Sequence, residues 1–381
     1  MAKRIIALIL SLIMIFNFAF FASAAESSSL EFNENGKFKI MLVNDTHDDT
    51  TTDKRLIKGL EAAIESEKPD LIVFNGDIFY ERFINPTKEK LFKSMHGIFQ
   101  VVENAKVPFA LTFGNHDTQY GISADELMGY CIENFDYCVA AEDGCDAGTY
   151  NLPVRSADGK IIFNVYLMDT HSKDENGDYD GVSEEQIKWY EAKSDELKAQ
   201  NGGVPVPSYV FEHIPVRQIN SILKEVPFGT ENATFTPDGY KVVDPDKHMG
   251  GNFYEYPNPT GDETNRQYES WVEKGDIVAA FFGHDHTNSF YGKTDEGIIL
   301  GYNASFGWKA YGMGGATRHV KMIVVDEDDP RNPEIYEKTY TDLTGEKGGI
   351  GPIDFISPWI YNVVINNTIG KIVALILKIF G

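Results

Sequence analysis

Five short stretches place groups that can hold a cation or move a proton at separated points along the chain. They are Asp45-Thr46-His47, Gly76-Asp77, Gly114-Asn115-His116-Asp117, Glu212-His213-Ile214-Pro215 and Gly283-His284-Asp285-His286. Singly each is ordinary, because a histidine at a strand end is more often a hydrogen-bonded structural residue than a ligand. Together they offer carboxylates, an amide and imidazoles, groups that a fold gathers at one place mainly when a cation compensates them. Two divalent ions held about 3.5–4 Å apart can share a hydroxide, lower the pKa of its parent water and neutralise phosphoryl oxygens during in-line attack. One ligand must bridge such a pair, and a carboxylate can do so with its two oxygens. Imidazoles mixed with carboxylates suit Mn, Fe, Zn or Co, whereas the lack of a nearby thiolate argues against a Cys-rich structural zinc site. If His284-Asp285-His286 is extended, its two imidazoles point the same way and each reaches one ion.

Each stretch stands at or just after the end of an apolar, β-forming run. Strands are predicted at Phe38–Val43, Leu71–Phe74, Phe109–Phe113, Ile161–Met168, Tyr209–Phe211, Ile277–Phe282, Ile298–Leu300 and Val320–Val325. Helices are predicted between several of them, at Lys54–Ser66, Lys88–Asn104, Glu184–Ala199 and Asn265–Glu273. The third opens with a capping box, Ser183 followed three residues later by Gln186. Strands alternating with helices imply an α/β domain whose polar strand ends gather a site. Pro227–Gly261 is too long for a plain connection and is expected to cover that site. The pattern changes after Asp326, so residues 37–326 read as the catalytic domain, 26–36 as a linker and 327–381 as a C-terminal extension.

At these motifs the sequence resembles the calcineurin-like metallophosphoesterases, whose pattern D-x-H, G-D, G-N-H-[DE], H and G-H-x-H is matched in order over about residues 37–326. The surroundings, including Lys68–Asp77, His213-Ile214-Pro215 and Phe306–Gly312, look like the purple-acid-phosphatase-like branch. The resemblance implies an α/β (α+β) fold, a β-sandwich of two mixed sheets flanked by helices in four αββα layers. It implies that Asp45, His47 and His286 hold one ion, that Asn115, His213 and His284 hold another, and that Asp77 bridges them. His116 is then the general acid, with Asp117 orienting it, and the activity is hydrolysis of a phosphomonoester by a metal-bound hydroxide. A phosphodiesterase or nuclease is the alternative within the family. Tyr80 stands where true purple acid phosphatases place a tyrosine ligand, but His47 fills a position those enzymes lack. A colourless enzyme with divalent metal is therefore expected.

The whole chain bounds these expectations. It has 381 residues and a formal charge of −24, which disfavours general nucleic-acid binding, since that affinity comes from Lys and Arg neutralising phosphates. A small phosphoester remains admissible where bound metal reverses the field locally. Lys3 and Arg4, an apolar run and Ala22-Ser23-Ala24 read as a signal peptide over residues 1–25, with an uncleaved anchor as the alternative; export makes the protein extracytoplasmic, secreted or at the cell surface. Cys131, Cys138 and Cys145 allow one disulfide or three thiols. The apolar tail Trp359–Phe380 suits either an interfacial membrane helix or one docked on the domain. The Asn176–Gly181 stretch lacks the closing Glu of a calcium loop and reads as an acidic turn. His248 is a candidate to approach substrate, and Tyr311 and Arg318 are candidates to line the mouth of the site. No serine elbow, P-loop or dinucleotide fingerprint is present. The rival from another class is a non-catalytic cell-surface protein that keeps its metal.

Overall fold

A computed structural model describes residues 30–80, 86–140, 144–174 and 177–349. The leader over residues 1–25, the apolar tail Trp359–Phe380 and Asn176 lie outside the described residues. Among the described residues no helix is long and apolar enough to cross a membrane.

In chain order the strands are β1 (Leu30–Glu31), β2 (Lys37–Val43), β3 (Leu71–Asn75), β4 (Phe109–Thr112), β5 (Tyr150–Arg155), β6 (Ile161–Met168), β7 (Ser208–Glu212) and β8 (Leu223–Val226). They continue with β9 (Thr234–Thr236), β10 (Gly239–Val243), β11 (His248–Gly250), β12 (Ile277–Phe282), β13 (Tyr291–Lys293), β14 (Ile299–Tyr302), β15 (His319–Asp326) and β16 (Glu334–Thr339). The helices are α1 (Lys54–Glu67), α2 (Lys88–Ala105), α3 (Ala124–Asn134), α4 (Glu184–Gln200), α5 (Gln267–Lys274) and α6 (Tyr340–Thr344).

Two mixed sheets face each other. One has five strands in the order β16-β15-β2-β3-β4, the other eight in the order β1-β5-β6-β7-β12-β14-β13-β11. Side chains alternate across each strand, so one strand serves two cores. On β6, Phe163, Val165 and Leu167 face the first sheet, where the Phe163 ring meets Phe38 of β2 edge-on at 5.5 Å. Tyr166 and Met168 join Ile187 and Tyr190 of α4 and Trp271 of α5 in a second core behind the sheet. On the far side of the five-stranded sheet, Phe99 of α2 packs on Phe74 of β3 and Phe109 of β4, each at 4.9 Å. α1 buries Leu56, Leu60 and Ala63 along one stripe and begins at Asp53, whose side chain accepts from Arg55 N at 2.8 Å. The result is four layers, helices, sheet, sheet, helices, as the resemblance implied. The capping box at Ser183 and Gln186 does start α4.

The sequence placed fewer elements than the fold contains. β1 pairs in parallel with β5 inside the stretch read as a linker, and β16 pairs with β15 beyond Asp326, carrying the ordered fold past that boundary. The stretch Pro227–Gly261 overlaps a three-stranded antiparallel sheet, β8-β10-β9, whose strands are short and of mixed polarity, and β8 and β10 show no burial alternation to read. The strands that matter for chemistry are parallel: β2, β3 and β4 in one sheet, β7 and β12 in the other. Each of the five stretches follows the C-terminal end of one of them, the end where loops of parallel sheets gather ligands.

Candidate metal centre

Leaving the strands, the chain turns sharply at the chemical residues themselves. Asp45, His47, Asp77 and His284 have φ of 49°, 42°, 51° and 71°. They are half of the eight non-glycine residues in the left-handed region among the described residues. Such a conformation costs a side-chain-bearing residue on the order of 1–3 kcal/mol, so neighbours must enforce it. Asp45 N donates to Gly76 O at 3.2 Å, His47 N to Asp77 O at 3.0 Å and His116 N to Asp77 Oδ1 at 2.8 Å. Across the sheet interface, His284 N donates to Asp45 Oδ2 at 3.2 Å, and Asn75 Nδ2 donates to the carbonyls of Glu212 and Phe281. Gly76, at φ 80°, has no alternative residue, because a Cβ there would sit 2.7 Å from His213 Nδ1.

The motifs converge. Ligand atoms of Asp45, His47, Asp77 and His286 lie within 4.8 Å of one another, and so do those of Asp77, His213 and His284. Asp77 belongs to both groups, and all six are buried. Its Oδ2 is 3.1 Å from His47 Nε2 and 3.2 Å from His213 Nε2, while Asp45 Oδ1 is 3.4 Å from His286 Nε2. Beside them is a cavity of about 190 Å³ whose walls include His116, Tyr80, Tyr179 and Tyr311.

Three buried atoms test whether a cation fits. Asn115 Oδ1 has no hydrogen-bond partner, and His47 Nε2 and His213 Nε2 stand 3.1 and 3.2 Å from Asp77 Oδ2 without well-aligned hydrogen bonds. Burying an amide oxygen unpaired is costly, and that oxygen, like each imidazole nitrogen once its proton leaves, has the lone pair a divalent ion takes. His213 is already oriented for this, with Nδ1 donating to Asn75 O at 3.0 Å, and His286 likewise donates from Nδ1 to Tyr311 O at 3.0 Å. Electrostatics agrees with the geometry. Burial alone would keep His47 and His213 neutral, but Asp45 and Asp77 push them up to about 9 and about 10. Burial, then the charge of His213, presses His284 down to about 3, and burial with His47 holds His286 well below the ordinary range. Burial works against the Asp77 anion too, yet His213 and His47 hold its carboxyl well below the usual carboxylate range. The site thus contains two neutral imidazoles and two others whose protons stand where cations would.

Several expectations need correction. His284-Asp285-His286 is not extended: β12 ends at Phe282 and Asp285 N turns back to Gly283 O at 2.8 Å. The left-handed turn at His284, not strand alternation, sends the two imidazoles to different groups. Asp117 does not orient His116. Its buried carboxylate instead accepts from the amides of Asp77, Ile78, Phe79 and Gly114, at 2.7 to 3.2 Å, and so shapes the Asp77 turn. Arg318 is away from the mouth, 1% exposed, with its guanidinium on Ser305 Oγ and the carbonyls of Gly307 and Ala310. His248 is exposed on β11 and lines a different cavity, bonded to the carbonyls of Gly250 and Gly251. Tyr80 packs against the rings of His47 and His116 at 5.5 and 4.5 Å. The three cysteines are free thiols, with Cys131 buried.

The sequence missed residues that support the site. His116 is oriented by Gln119, whose Nε2 donates to Asn115 O at 3.0 Å, which leaves Oε1 to accept from His116 Nδ1 at 3.0 Å. Its position three residues after His116, in a tight turn, was the available signal. Lys309 pairs with Asp48 at 2.8 Å and Asp49 at 2.5 Å, securing the loop beyond His47. Asn258 donates to Asp285 Oδ1 at 2.7 Å and Glu255 accepts from Thr287 N at 2.6 Å, both from the long polar stretch.

A helix-flanked pair of mixed sheets with a carboxylate–imidazole cluster at the strand ends defines a metallophosphoesterase-type protein. The chain belongs to the calcineurin-like phosphoesterase family, whose profile matches residues 38–288. It is 27% identical over 348 residues to Probable inactive purple acid phosphatase 29 of Arabidopsis thaliana, covering 81% of this chain and 82% of that one. It is 23% identical over 315 residues to Phosphatase DCR2 of Saccharomyces cerevisiae, covering 75% of this chain and 49% of the yeast protein. Among solved structures, a dimetal phosphatase from Danio rerio aligns with 80% of this chain and 99% of its own at 12% identity and a TM-score of 0.44.

Proposed function

We propose that this chain is an exported, binuclear metal-dependent phosphatase acting on a small phosphomonoester. The observation that carries the reading is Asp77, buried and common to both ligand groups. Among the described residues, the ion pairs of Asp77 and Asp45 are all with imidazoles, so no resident lysine or arginine compensates them. In this reading Asp45, His47 and His286 hold one divalent ion, Asn115, His213 and His284 hold the second, and Asp77 is shared, with Mn, Fe, Zn or Co as suitable metals. Bound ions of this kind activate water near neutral pH and neutralise phosphoryl oxygens. His116 is partly exposed to the cavity, with Nε2 4.0 Å from Asp77 Oδ2. It is placed to give a proton to the departing ester oxygen while Gln119 keeps its ring turned. Tyr80, Tyr179 and Tyr311 supply walls for the leaving group.

A non-catalytic metal-binding protein is the second reading, and the word "inactive" in the names of three plant relatives favours it. His116 supports turnover here, because no ion requires it. The leader pattern supports export, the −24 charge speaks against general nucleic-acid binding, and the tail is proposed to rest at a membrane surface. Fractionation with and without residues 355–381 tests the tail. Activity is tested by p-nitrophenyl phosphate turnover alongside a diester and a broad phosphoester panel. Metal-dependent monoester hydrolysis that His116→Ala abolishes, with metal content intact, supports the phosphatase. Full activity in metal-free protein contradicts it, and no turnover on any substrate favours the non-catalytic reading.

A further inference from the structure

The two ligand groups differ in what holds them. His213 belongs to the core: its ring is tied to Asn75 at the end of β3, and its carbonyl accepts from Gly283 N at 3.1 Å. His286 is held by two loops. Its ring stacks on Tyr311, with centroids 4.0 Å apart and 14° between planes, and its Nδ1 donates to the Tyr311 carbonyl. Tyr311 OH accepts from His286 N at 3.3 Å and donates to Glu255 Oε2 at 3.1 Å. The other oxygen of Glu255 accepts from Thr287 N at 2.6 Å and Thr287 Oγ1 at 2.7 Å. One carboxylate from the segment after β11 therefore clasps the His286–Thr287 backbone from both sides.

We infer that Glu255 and Tyr311 are positioning residues for His286, and that through them the segment after β11 sets how tightly one ion of the pair is retained, independently of the other. The inference rests on the binuclear reading. Its physical basis is that groups fixing a ligand imidazole's tautomer and orientation govern affinity, and their loss typically weakens binding ~10–100-fold. Among the described residues no hydrogen bond joins His213, anchored on Asn75, or His284 to Glu255 or Tyr311, so the second group should keep its ion.

The test is a stepwise Co²⁺ titration of the metal-free full chain, read by visible absorption and by equilibrium dialysis. Wild type is expected to take two ions. Glu255→Ala is expected to weaken one step ~10–100-fold and leave the other unchanged. Tyr311→Phe, which removes only a hydroxyl from a side chain 48% exposed, weakens the same step less, and Glu255→Gln restores it in large part. The conservative pair guards against a folding defect in Glu255→Ala. Two unchanged steps in both Glu255→Ala and Tyr311→Phe, or equal weakening of both steps, would overturn the inference while leaving the centre standing. Fewer than two ions in wild type would overturn the binuclear reading and the inference with it.

Discussion

Two buried ionic clusters sit in this fold, and they are neutralised differently. On β15, Lys321 is wholly buried, yet it donates to Glu337 Oε1 at 2.7 Å and to Ser289 O at 3.1 Å, and stands over the Tyr291 ring at 4.8 Å. Burial pulls its pKa below the ordinary lysine range, and Glu337 opposes that pull. That cluster carries its own counter-charge. At the strand ends, Asp45 and Asp77 are equally buried, and among the described residues their ion pairs are all with imidazoles. A buried lysine matched by its own carboxylate is structural; buried carboxylates matched only by imidazoles, which are themselves metal donors, form a cluster suited to cations from outside.

The comparison can be broken experimentally. The largest effect should follow chelation: hydrolysis disappears with the metal and returns when Mn²⁺ is restored, while the Lys321 cluster is indifferent. Next, His116→Ala should lower kcat ~10²–10⁴-fold with metal content unchanged; loss of metal instead would make His116 a ligand. Lys321→Met should destabilise the fold by about 1–3 kcal/mol in urea unfolding, because it takes the lysine from the half-buried Glu337 and leaves it only His319 at 3.7 Å, and should not alter metal stoichiometry. A stability change under about 1 kcal/mol would erase the contrast between the clusters. Gln119→Ala should cost roughly tenfold in kcat with little change in KM, since it loosens only the ring that gives the proton. The smallest signal is a proton count. At pH 7 the metal-free site keeps His47 and His213 protonated, with pKa values of about 9 and about 10. Metal loading should therefore release protons, measurable by calorimetry in buffers of different ionisation heat, and affinity should fall as pH falls. In the metal-free protein their stabilising contribution is complete below 6.5, the ordinary value, and is lost as pH rises through about 9 to 10.

Most of the site's membership was readable because strand ends, glycines and polar side chains recur together. Gly76 and Asp77, or Gly114 and Asn115, mark turns where the backbone must pass close to another chain segment. Individual strands were readable through apolar runs such as Leu71–Phe74, buried at every position, whereas their arrangement in two facing sheets came from the family resemblance. What stayed hidden depended on tertiary partners. β5 carries Pro153 in a mixed sequence, Tyr150–Arg155, and is a strand because β6 pairs with it. Asp117 looked like a partner for its neighbour His116, but three amides of the Asp77 loop and that of Gly114 in its own turn claim it. Glu255 lies 31 residues before His286, in a polar stretch without periodicity, and only folding brings it to Thr287.

The most direct test is anomalous X-ray scattering from crystals grown with Mn²⁺. Two peaks about 3.5–4 Å apart, with a carboxylate oxygen of Asp77 between them, are the predicted result. A single peak, or two peaks neither of which is ligated by Asp77, would contradict the account.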